Sequence, residues 1–409
     1  MQLKKDRQIS LVLLAGMLVG LCGCGSNDAS GLMYETETVE TAGIEAGTEP
    51  GTEETAEAGQ TLVYKNSMEL QYAENFTVDH YAGGYTLLTT LMDGARFLIV
   101  PEDAQVPEEI DDEPLREDII ILQRPIEDIY LVASSAMDLF SKLDGLGTIA
   151  FSGQKEDGWY IEEAREAMQK GEILYAGKYS KPDYELIVSG GCKLAIENMM
   201  ISHSPEVVEK LESFGIPVMI EYSSYESHPL GRVEWIKFYG ALLGKEEEAE
   251  KIFAEQTAIL EKVQADENTD KTVAFFFVTS NGMIQVRQAN DYVAKMIELA
   301  GGNYVFKDLG DPDTKRSTLN IQVEEFYAGA KDADFLIYNS SIDGGIVSVE
   351  ELLDKCEPLA DFKAVQEGNV WCTTNDMYQQ SLSTGYLIED IHTMLSGETE
   401  DMHYLFHLE

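Results

Sequence analysis

The sequence is poor in positive charge. It contains 29 Lys and Arg residues against 74 Asp and Glu residues, which gives a formal net charge of −45 at pH 7. Nucleic acids and anionic lipid headgroups attract proteins mainly through basic side chains. The composition therefore argues against both as partners.

Cysteine and histidine are also scarce. Of the five cysteines, Cys22 and Cys24 lie in the N-terminal segment, and Cys192, Cys356 and Cys372 lie in the rest of the chain. Three is an odd number without C-x-x-C spacing, so neither a disulfide framework nor a zinc site is indicated. A Cys356–Cys372 disulfide and buried thiols are both open alternatives. The histidines show no H-x-H or clustered spacing, so no bare-metal site is predicted.

The N-terminal apolar run is too short to cross a membrane permanently. The apolar run extends from Ile9 to Leu21, follows several basic residues and is 13 residues long. A helix that spans a membrane needs about 20 residues. This pattern is typical of a secretory signal. The next residues, L-C-G-C at 21–24, resemble the bacterial lipoprotein box, which implies a signal peptide over 1–24 and a lipid on Cys24. An ordinary cleaved signal is the alternative.

Residues 25–62 are predicted to be a disordered acidic tether. Between Asp28 and Tyr64 there are nine acidic residues and no Lys or Arg, and such a segment cannot bury enough apolar surface to order itself. As a flexible coil of about 36 residues it spans roughly 35 Å. We expect it to connect a lipid anchor to the folded part.

A β-meander is predicted at the start of the folded part. Apolar and polar residues alternate in three runs, and Asp93-Gly94 is a strong hairpin signal. The predicted strands lie around Phe76–Val78, Tyr85–Leu91 and Arg96–Val100.

The remaining chain alternates short apolar runs with helical periodicity, which indicates an α/β fold with mostly parallel sheets. One pattern of strands and helices occurs twice, so we expect two Rossmann-like lobes, an N-terminal lobe with the meander at 63–228 and a C-terminal lobe at 265–409. The first copy is predicted as strand Ile129–Ala133, helix Ala136–Leu143, strand Thr148–Phe151 and strand Tyr184–Val188. The second copy is predicted as strand Val273–Val278, helix Tyr292–Ala300, strand Tyr304–Phe306 and strand Phe335–Tyr338.

One long helix over 229–264 is predicted to join the lobes. Pro229 suits the first position of a helix, and apolar residues follow at helical spacing. A helix of about 35 residues spans roughly 50 Å, with Gly240 and Gly244 as potential kinks. Such a linker implies a stiff hinge and a small ligand-induced closure.

Several stretches resemble the substrate-binding proteins of ABC importers for iron-siderophores, haem and vitamin B12. The most specific is SSYESHPLGRVEWIK at 223–237, which resembles the start of the linker helix in a Gram-positive branch of that family. Supporting stretches are YAGKY at 175–179, PDYE at 182–185, ADFLIYN at 333–339 and GNVW at 368–371. The resemblance covers almost everything from Leu70 onward.

The resemblance implies a monomeric, lipid-anchored protein on the extracytoplasmic face of the membrane, in a Gram-positive organism. Its partners would be an ABC permease with its ATPase and a small-molecule metal chelate, with no cofactor of its own. A ferric siderophore or other iron complex is expected, and a corrinoid such as cobalamin is the alternative. In this family a Glu on each lobe docks into Arg-containing pockets of the permease. The positions matching that role are Glu206 and Glu324.

Candidate ligand residues follow the predicted strands. Ligands of open parallel sheets bind beyond the carboxyl ends of the strands, so the polar turns at those ends mark the cleft. Large flat walls and a few directed polar groups suit a bulky chelate. The candidates are Ser134, Trp159, Tyr175, Lys178 and Tyr179 in the first lobe, and Arg287, Asn339 and Tyr378 in the second. Arg232 is instead expected to pair with Glu226 or Glu234.

An enzyme is not expected. Gly145-Leu146-Gly147 has the glycine spacing of a dinucleotide site, but it follows a helix and precedes a strand, the reverse of what phosphate binding requires. Neither a P-loop nor a G-x-S-x-G motif is present. A surface lipoprotein with a purely adhesive or structural role is the alternative class.

Overall fold

The structure is a computed structural model that describes residues 61–111, 113–264, 266–310, 317–342, 345–399 and 402–409. The predicted signal peptide, the lipidation site Cys24 and most of the predicted tether lie outside these residues. Thr61 and Leu62, which the sequence assigns to the tether, form a strand that pairs with Glu109–Ile110.

The described residues form the following strands. They are β1 Thr61–Leu62, β2 Tyr64–Ser67, β3 Phe76–Tyr81, β4 Thr86–Thr90, β5 Arg96–Val100, β6 Glu109–Ile110, β7 Glu113–Pro114, β8 Ile119–Gln123, β9 Ile129–Leu131, β10 Ile149–Ser152, β11 Leu174–Tyr175, β12 Gly177–Lys178, β13 Lys181–Pro182, β14 Leu194–Asn198, β15 Val218–Glu221, β16 Thr272–Val278, β17 Ile284–Arg287, β18 Asn303–Tyr304, β19 Thr318–Ile321, β20 Phe335–Tyr338, β21 Val370–Thr373 and β22 Leu405–His407.

The helices lie mainly between the strands of the two lobes. They are α1 Ser134–Lys142, α2 Glu162–Lys170, α3 Tyr184–Ser189, α4 Pro205–Ser213, α5 Pro229–Leu243, α6 Glu246–Gln264, α7 Tyr292–Leu299, α8 Val323–Ala330, α9 Val349–Lys355, α10 Lys363–Glu367 and α11 Thr384–Ser396.

The predicted meander is confirmed as the antiparallel ladder β3-β4-β5. The turn closes as the sequence indicates, because Gly94 has a φ of 74° and the Thr90 hydroxyl donates to Asp93 at 2.6 Å. The sheet is larger than predicted, in the order β2-β3-β4-β5-β8, with β8 parallel to β5. Phe76 packs edge-on against Trp235 of α5, so the sheet joins the main core.

The first lobe has a parallel sheet in the order β11-β10-β9-β14-β15. This is the 3-2-1-4-5 order of a Rossmann-like fold. The predicted strand Tyr184–Val188 is wrong, because these residues belong to α3. The Asp183 carboxylate accepts the Leu186 N–H and caps the helix, and of its residues only Ile187 is buried. The strand in that place is β14, which is buried from Leu194 to Glu197.

The second lobe repeats this core with an insertion. Strands β16, β18, β20 and β21 are parallel, and they correspond in order to β9, β10, β14 and β15. An additional strand, β17, runs antiparallel to β16 and separates the turn at 279–282 from α7. The predicted succession of strand Val273–Val278 and helix Tyr292–Ala300 is therefore interrupted by a strand that the sequence analysis missed. The expected α/β class with two similar lobes is confirmed.

The predicted single linker helix is wrong. Helix α5 ends at Gly244, which has a φ of 74°, and the Lys245 N–H returns to the Gly240 carbonyl at 2.7 Å. This arrangement is a glycine helix stop. Helix α6 then folds back along α5, since the Lys237 ammonium reaches Glu250 at 2.9 Å. A Cβ on Gly240 would lie 2.6 Å from the Cβ of Ala249, so glycine permits this close approach.

Candidate functional site

The carboxyl ends of the two sheets face each other. Segment 158–160 follows β10 and α1 follows β9, whereas segment 379–382 follows β21. The Ser381 hydroxyl donates to the Ser135 carbonyl at 2.7 Å, and the Leu382 N–H donates to Asp138 at 2.9 Å. The two lobes therefore meet at the sheet edges beyond which ligands of this fold bind.

Three of the predicted ligand residues meet on the C-terminal lobe. The Asn339 amide donates to the Tyr378 hydroxyl at 2.8 Å. The Arg287 guanidinium lies 5.3 Å from the centroid of the Tyr378 ring and 5.5 Å from that of Phe275. This group combines a cation, an amide and a flat ring, and its Arg287 and Asn339 side chains are buried, 7% and 2% exposed respectively.

Arg287 is buried, and its charge is partly compensated by a residue that sequence reasoning missed. Its guanidinium lies 3.6 Å from the Asp291 carboxylate, which also caps α7 by accepting the Val293 N–H. Burial raises the pKa of Asp291 above its usual range, and Arg287 and Arg232 oppose this shift. With both arginines ionised and Asp291 also ionised, the cluster carries one net positive charge.

Arg232 does not make the expected ion pair. Its guanidinium donates to the Ser224 carbonyl at 3.1 Å and lies 4.0 Å from the centroid of the Tyr292 ring on the other lobe. Glu226 and Glu234 instead accept backbone N–H groups from residues 71–75. Arg232 is thus an interlobe contact, and its charge acts on Asp291 through space.

On the N-terminal lobe, Trp159 and Tyr175 lie on either side of the end of β10. Trp159 is only 2% exposed, and its indole N–H donates to the Ser152 hydroxyl at 3.1 Å. It packs in the core and holds its loop in place, rather than presenting a free face to the cleft. Tyr175 pairs in register with Ser152 and is 41% exposed, and the Lys155 ammonium lies over its ring, 5.8 Å from the centroid.

Lys178 and Tyr179 lie on the short hairpin β12–β13. Gly177 has a φ of 86°, and a Cβ there would lie 2.3 Å from the Lys181 carbonyl, so the turn requires glycine. The Tyr130 hydroxyl donates to the Gly177 carbonyl at 2.8 Å and fixes the hairpin on the sheet. Lys178 is exposed, whereas Tyr179 is half-buried against the core of this lobe. Ser134 begins α1 and is half-buried.

Two buried acids near these strand ends were not anticipated. Asp138 is 2% exposed, and burial raises its pKa to about 6. Glu197 is fully buried near the end of β14, and neither of its carboxylate oxygens has a hydrogen-bond partner among the described residues. Burial raises its pKa to about 8. The only sequence signal for Glu197 is its position inside the apolar run LAIEN.

The two predicted docking residues are both exposed and occupy the second position of a helix. Glu206 lies in α4 and Glu324 in α8. Their helices are not equivalent, however, because α4 follows β14 whereas α8 precedes β20, the counterpart of β14. By topology the partner of Glu324 is Glu185, the second residue of α3. Glu206 and Glu324 therefore do not occupy topologically equivalent positions in the two lobes.

The remaining expectations concern thiols, metals and membranes. Cys192, Cys356 and Cys372 are buried thiols, not disulfides, and burial raises the pKa of Cys192 to about 11. Within the described ranges there is no group of three or more His, Cys, Asp or Glu side chains that would bind a metal. Nor does that part of the chain contain a helix of the length and apolarity that a membrane span requires.

The fold is that of the two-lobed periplasmic binding proteins. Residues 200–377 match the family model described as periplasmic binding protein. A periplasmic haem-binding protein of Vibrio cholerae superposes with a TM-score of 0.53 at 16% identity, covering 66% of this chain and 98% of the other. The ABC-type Fe3+-hydroxamate transport protein of Saccharomonospora viridis gives 0.50 at 18% identity, covering 66% and 93%.

Curated relatives cover more of the chain. Two proteins of Methanocaldococcus jannaschii, both named uncharacterised lipoproteins, are each 27% identical to it. MJ0878 aligns over 82% of both chains, and MJ0872 over 97% of both. The resemblance found in the sequence is thereby confirmed at the level of the fold.

Proposed function

We propose that this protein is the substrate-binding component of an ABC importer. The observation that carries the proposal is that the carboxyl ends of two Rossmann-like sheets meet, next to the place where Arg287, Asn339 and Tyr378 converge. A binding protein needs a ligand site between its lobes and no catalytic group. Several solved structures with this fold are named as binding haem or transporting Fe3+-hydroxamate.

The substrate we propose is a metal chelate, with an iron complex favoured over a corrinoid. The Arg232–Asp291–Arg287 cluster supplies one net positive charge in a chain of otherwise high negative charge, which suits the acidic oxygens at the periphery of a ferric siderophore. Tyr378 and the exposed Tyr175 supply flat surfaces for the body of the chelate. A corrinoid would use the same rings but would depend less on the arginines.

We also propose that a lipid on Cys24 anchors the chain to the extracytoplasmic face of a Gram-positive membrane. The L-C-G-C sequence after the apolar run supports the anchor, and the two named relatives are lipoproteins. Intact-mass measurement of membrane-extracted protein tests it. A mass without the diacylglycerol on an N-terminal Cys24 would contradict the proposal.

Docking to the permease is proposed for Glu324 on the C-terminal lobe, with Glu206 or Glu185 on the N-terminal lobe. All three are exposed acids in the first turn of a helix, where the helix dipole also favours an acid. The substitutions E324K, E206K and E185K, made singly, separate these candidates. A docking residue is expected to lower uptake by cells while chelate affinity is unchanged; normal uptake in E324K would remove Glu324 from this role.

A thermal-shift screen of the chain from Thr61 onward tests the substrate proposal. The panel contains ferric hydroxamates, ferric catecholates, haem, cobalamin and bare divalent metals. A ligand at 100 times its dissociation constant stabilises a protein by about 2.7 kcal/mol, which such a screen detects. Stabilisation by one chelate class would support binding, and its weakening in R287A would support the proposed site. No stabilisation by any member would favour an adhesive or structural surface role.

A further inference from the structure

Gln379 joins the two lobes by a pair of hydrogen bonds. Its amide nitrogen donates to the Gly158 carbonyl at 2.8 Å, and its amide oxygen accepts the Tyr160 N–H at 2.8 Å. One side chain thus satisfies a backbone acceptor and a backbone donor of the same loop on the opposite lobe. The loop includes Trp159, and Gln379 adjoins Tyr378, so the contact connects the two sides of the proposed cleft.

Both ends of this contact are fixed within their own lobes. On the N-terminal lobe, the Trp159 indole is bonded to Ser152, and the Gln154 amide also donates to the Gly158 carbonyl. On the C-terminal lobe, the Tyr378 hydroxyl is bonded to Asn339. Neither end depends on Gln379 for its position within its own lobe. The two hydrogen bonds of Gln379 therefore form when the lobes are close together and break when the lobes move apart.

Two and three residues further along, the same C-terminal segment makes a second interlobe contact of a different kind. Ser381 and Asp138, 9% and 2% exposed respectively, are buried where Ser381 bonds to Ser135 and Leu382 to Asp138. Gln379 is only half-buried, and Tyr160 is 49% exposed. Water therefore competes for the Gln379 contact but is excluded from the contact at 381–382.

We infer that Gln379 is a releasable latch that sets the width of the cleft, and that Ser381 and Leu382 form the pivot about which the lobes separate. A chelate that fits the latched cleft keeps both Gln379 hydrogen bonds, whereas a larger one must break them. Gln379 is thus a specificity-determining residue that selects ligands by size. This consequence for ligands rests on the proposed function, but the latch itself does not.

Amide hydrogen exchange followed by NMR tests the latch without a ligand. The Tyr160 amide reports the latch, because Gln379 accepts its proton, and the Leu382 amide reports the pivot. In the intact protein, Q379M keeps the length of the side chain but removes both hydrogen bonds. We expect exchange at Tyr160 to accelerate at least tenfold and exchange at Leu382 to be unchanged. Q366M, at an exposed glutamine of the C-terminal lobe, is the matched control.

The substitution Q379E tests the two hydrogen bonds of the latch separately, because it keeps one and removes the other. Its carboxylate still accepts the Tyr160 N–H, but it has no proton to donate to the Gly158 carbonyl, so protection at Tyr160 is expected to be intermediate. Unchanged exchange at Tyr160 in Q379M would overturn the latch. Acceleration at both Tyr160 and Leu382 would overturn the division into latch and pivot. Neither result would bear on whether a chelate binds, which the thermal-shift screen decides separately.

Discussion

Replacing Glu234 by Gln is expected to detach the meander from the α/β lobe. Glu234 lies in α5, is fully buried, and accepts the backbone N–H groups of Gln71, Tyr72 and Ala73 at 2.7 to 3.0 Å. The Lys237 ammonium lies 3.3 Å from the same carboxylate. These N–H groups belong to the segment that leads into β3, so Glu234 holds residues 71–73 against α5, while Glu226 holds the next two residues.

The loss of stability expected for E234Q follows from the buried groups that the substitution leaves without a charged acceptor. A hydrogen bond to a charged group contributes about 1.5–3 kcal/mol, and Glu234 accepts three of them. Removing one partner of a buried ion pair costs about 3–5 kcal/mol, although here Lys237 keeps Glu250 as a second partner at 2.9 Å. The Gln amide group also turns two donors towards N–H groups that need an acceptor. These effects overlap, so we expect a loss of about 3–5 kcal/mol in the free energy of unfolding.

Urea unfolding of the chain from Thr61 onward, together with hydrogen exchange at the amides of residues 71–73, measures this effect. E250Q is the matched control, because Glu250 also pairs with Lys237 but is 58% exposed. Because Glu250 is largely hydrated and the buried Lys237 keeps its contact with Glu234 in this variant, E250Q should cost clearly less than E234Q. If E234Q cost under about 1 kcal/mol, or left exchange at 71–73 unchanged, the reasoning from buried charge would be refuted.

Three further outcomes are expected. Glu197 has a pKa of about 8 in the folded protein, above its unfolded value of 4.5. Its contribution to stability is therefore fully present below pH 4.5 and is lost as the pH rises to about 8. The substitution E197Q should remove this pH-dependent loss, and a pH profile of urea unfolding that does not change in E197Q would contradict the raised pKa. G244A should cost about 1–2 kcal/mol, because alanine is strained at a φ of 74° and its Cβ would lie 3.1 Å from the Arg124 guanidinium; an unchanged melting temperature would contradict this. Y130F should lose about 1 kcal/mol with its hydrogen bond to Gly177 and increase exchange in hairpin β12–β13, whereas unaltered exchange there would show that the hydroxyl does not fix the hairpin.

The sequence predicted well wherever local pattern and burial agree. The meander was predictable because β3, β4 and β5 are consecutive, and Asp93-Gly94 supplies the turn between two of them. The strands β16 and β20 were predictable as apolar runs that are buried on both faces. The end of α5 was harder, since Gly240 and Gly244 look alike in sequence. Only Gly244 adopts the left-handed conformation that ends the helix.

The wrong predictions came from short apolar segments whose secondary structure or side-chain direction depends on contacts with other residues. The apolar pattern of residues 184–188 is compatible with a strand and with the buried face of a helix. The helix forms because Asp183 caps it and because Ile187 is buried in the core of the lobe. Trp159 follows a strand, as a ligand residue would, but a hydrogen bond to Ser152 turns it into the core. Position along the chain does not determine the direction of a side chain.

By itself, the sequence determined the class of the fold, the meander and the charge of the chain, because each depends on composition or on residues close together in the chain. Only the tertiary structure decided that α5 and α6 fold back on each other, that Arg287 meets Tyr378 and Asn339, and that Gln379 reaches Gly158 and Tyr160. These contacts join residues up to 221 positions apart. They depend on how two separately formed sheets are placed, which no local pattern encodes.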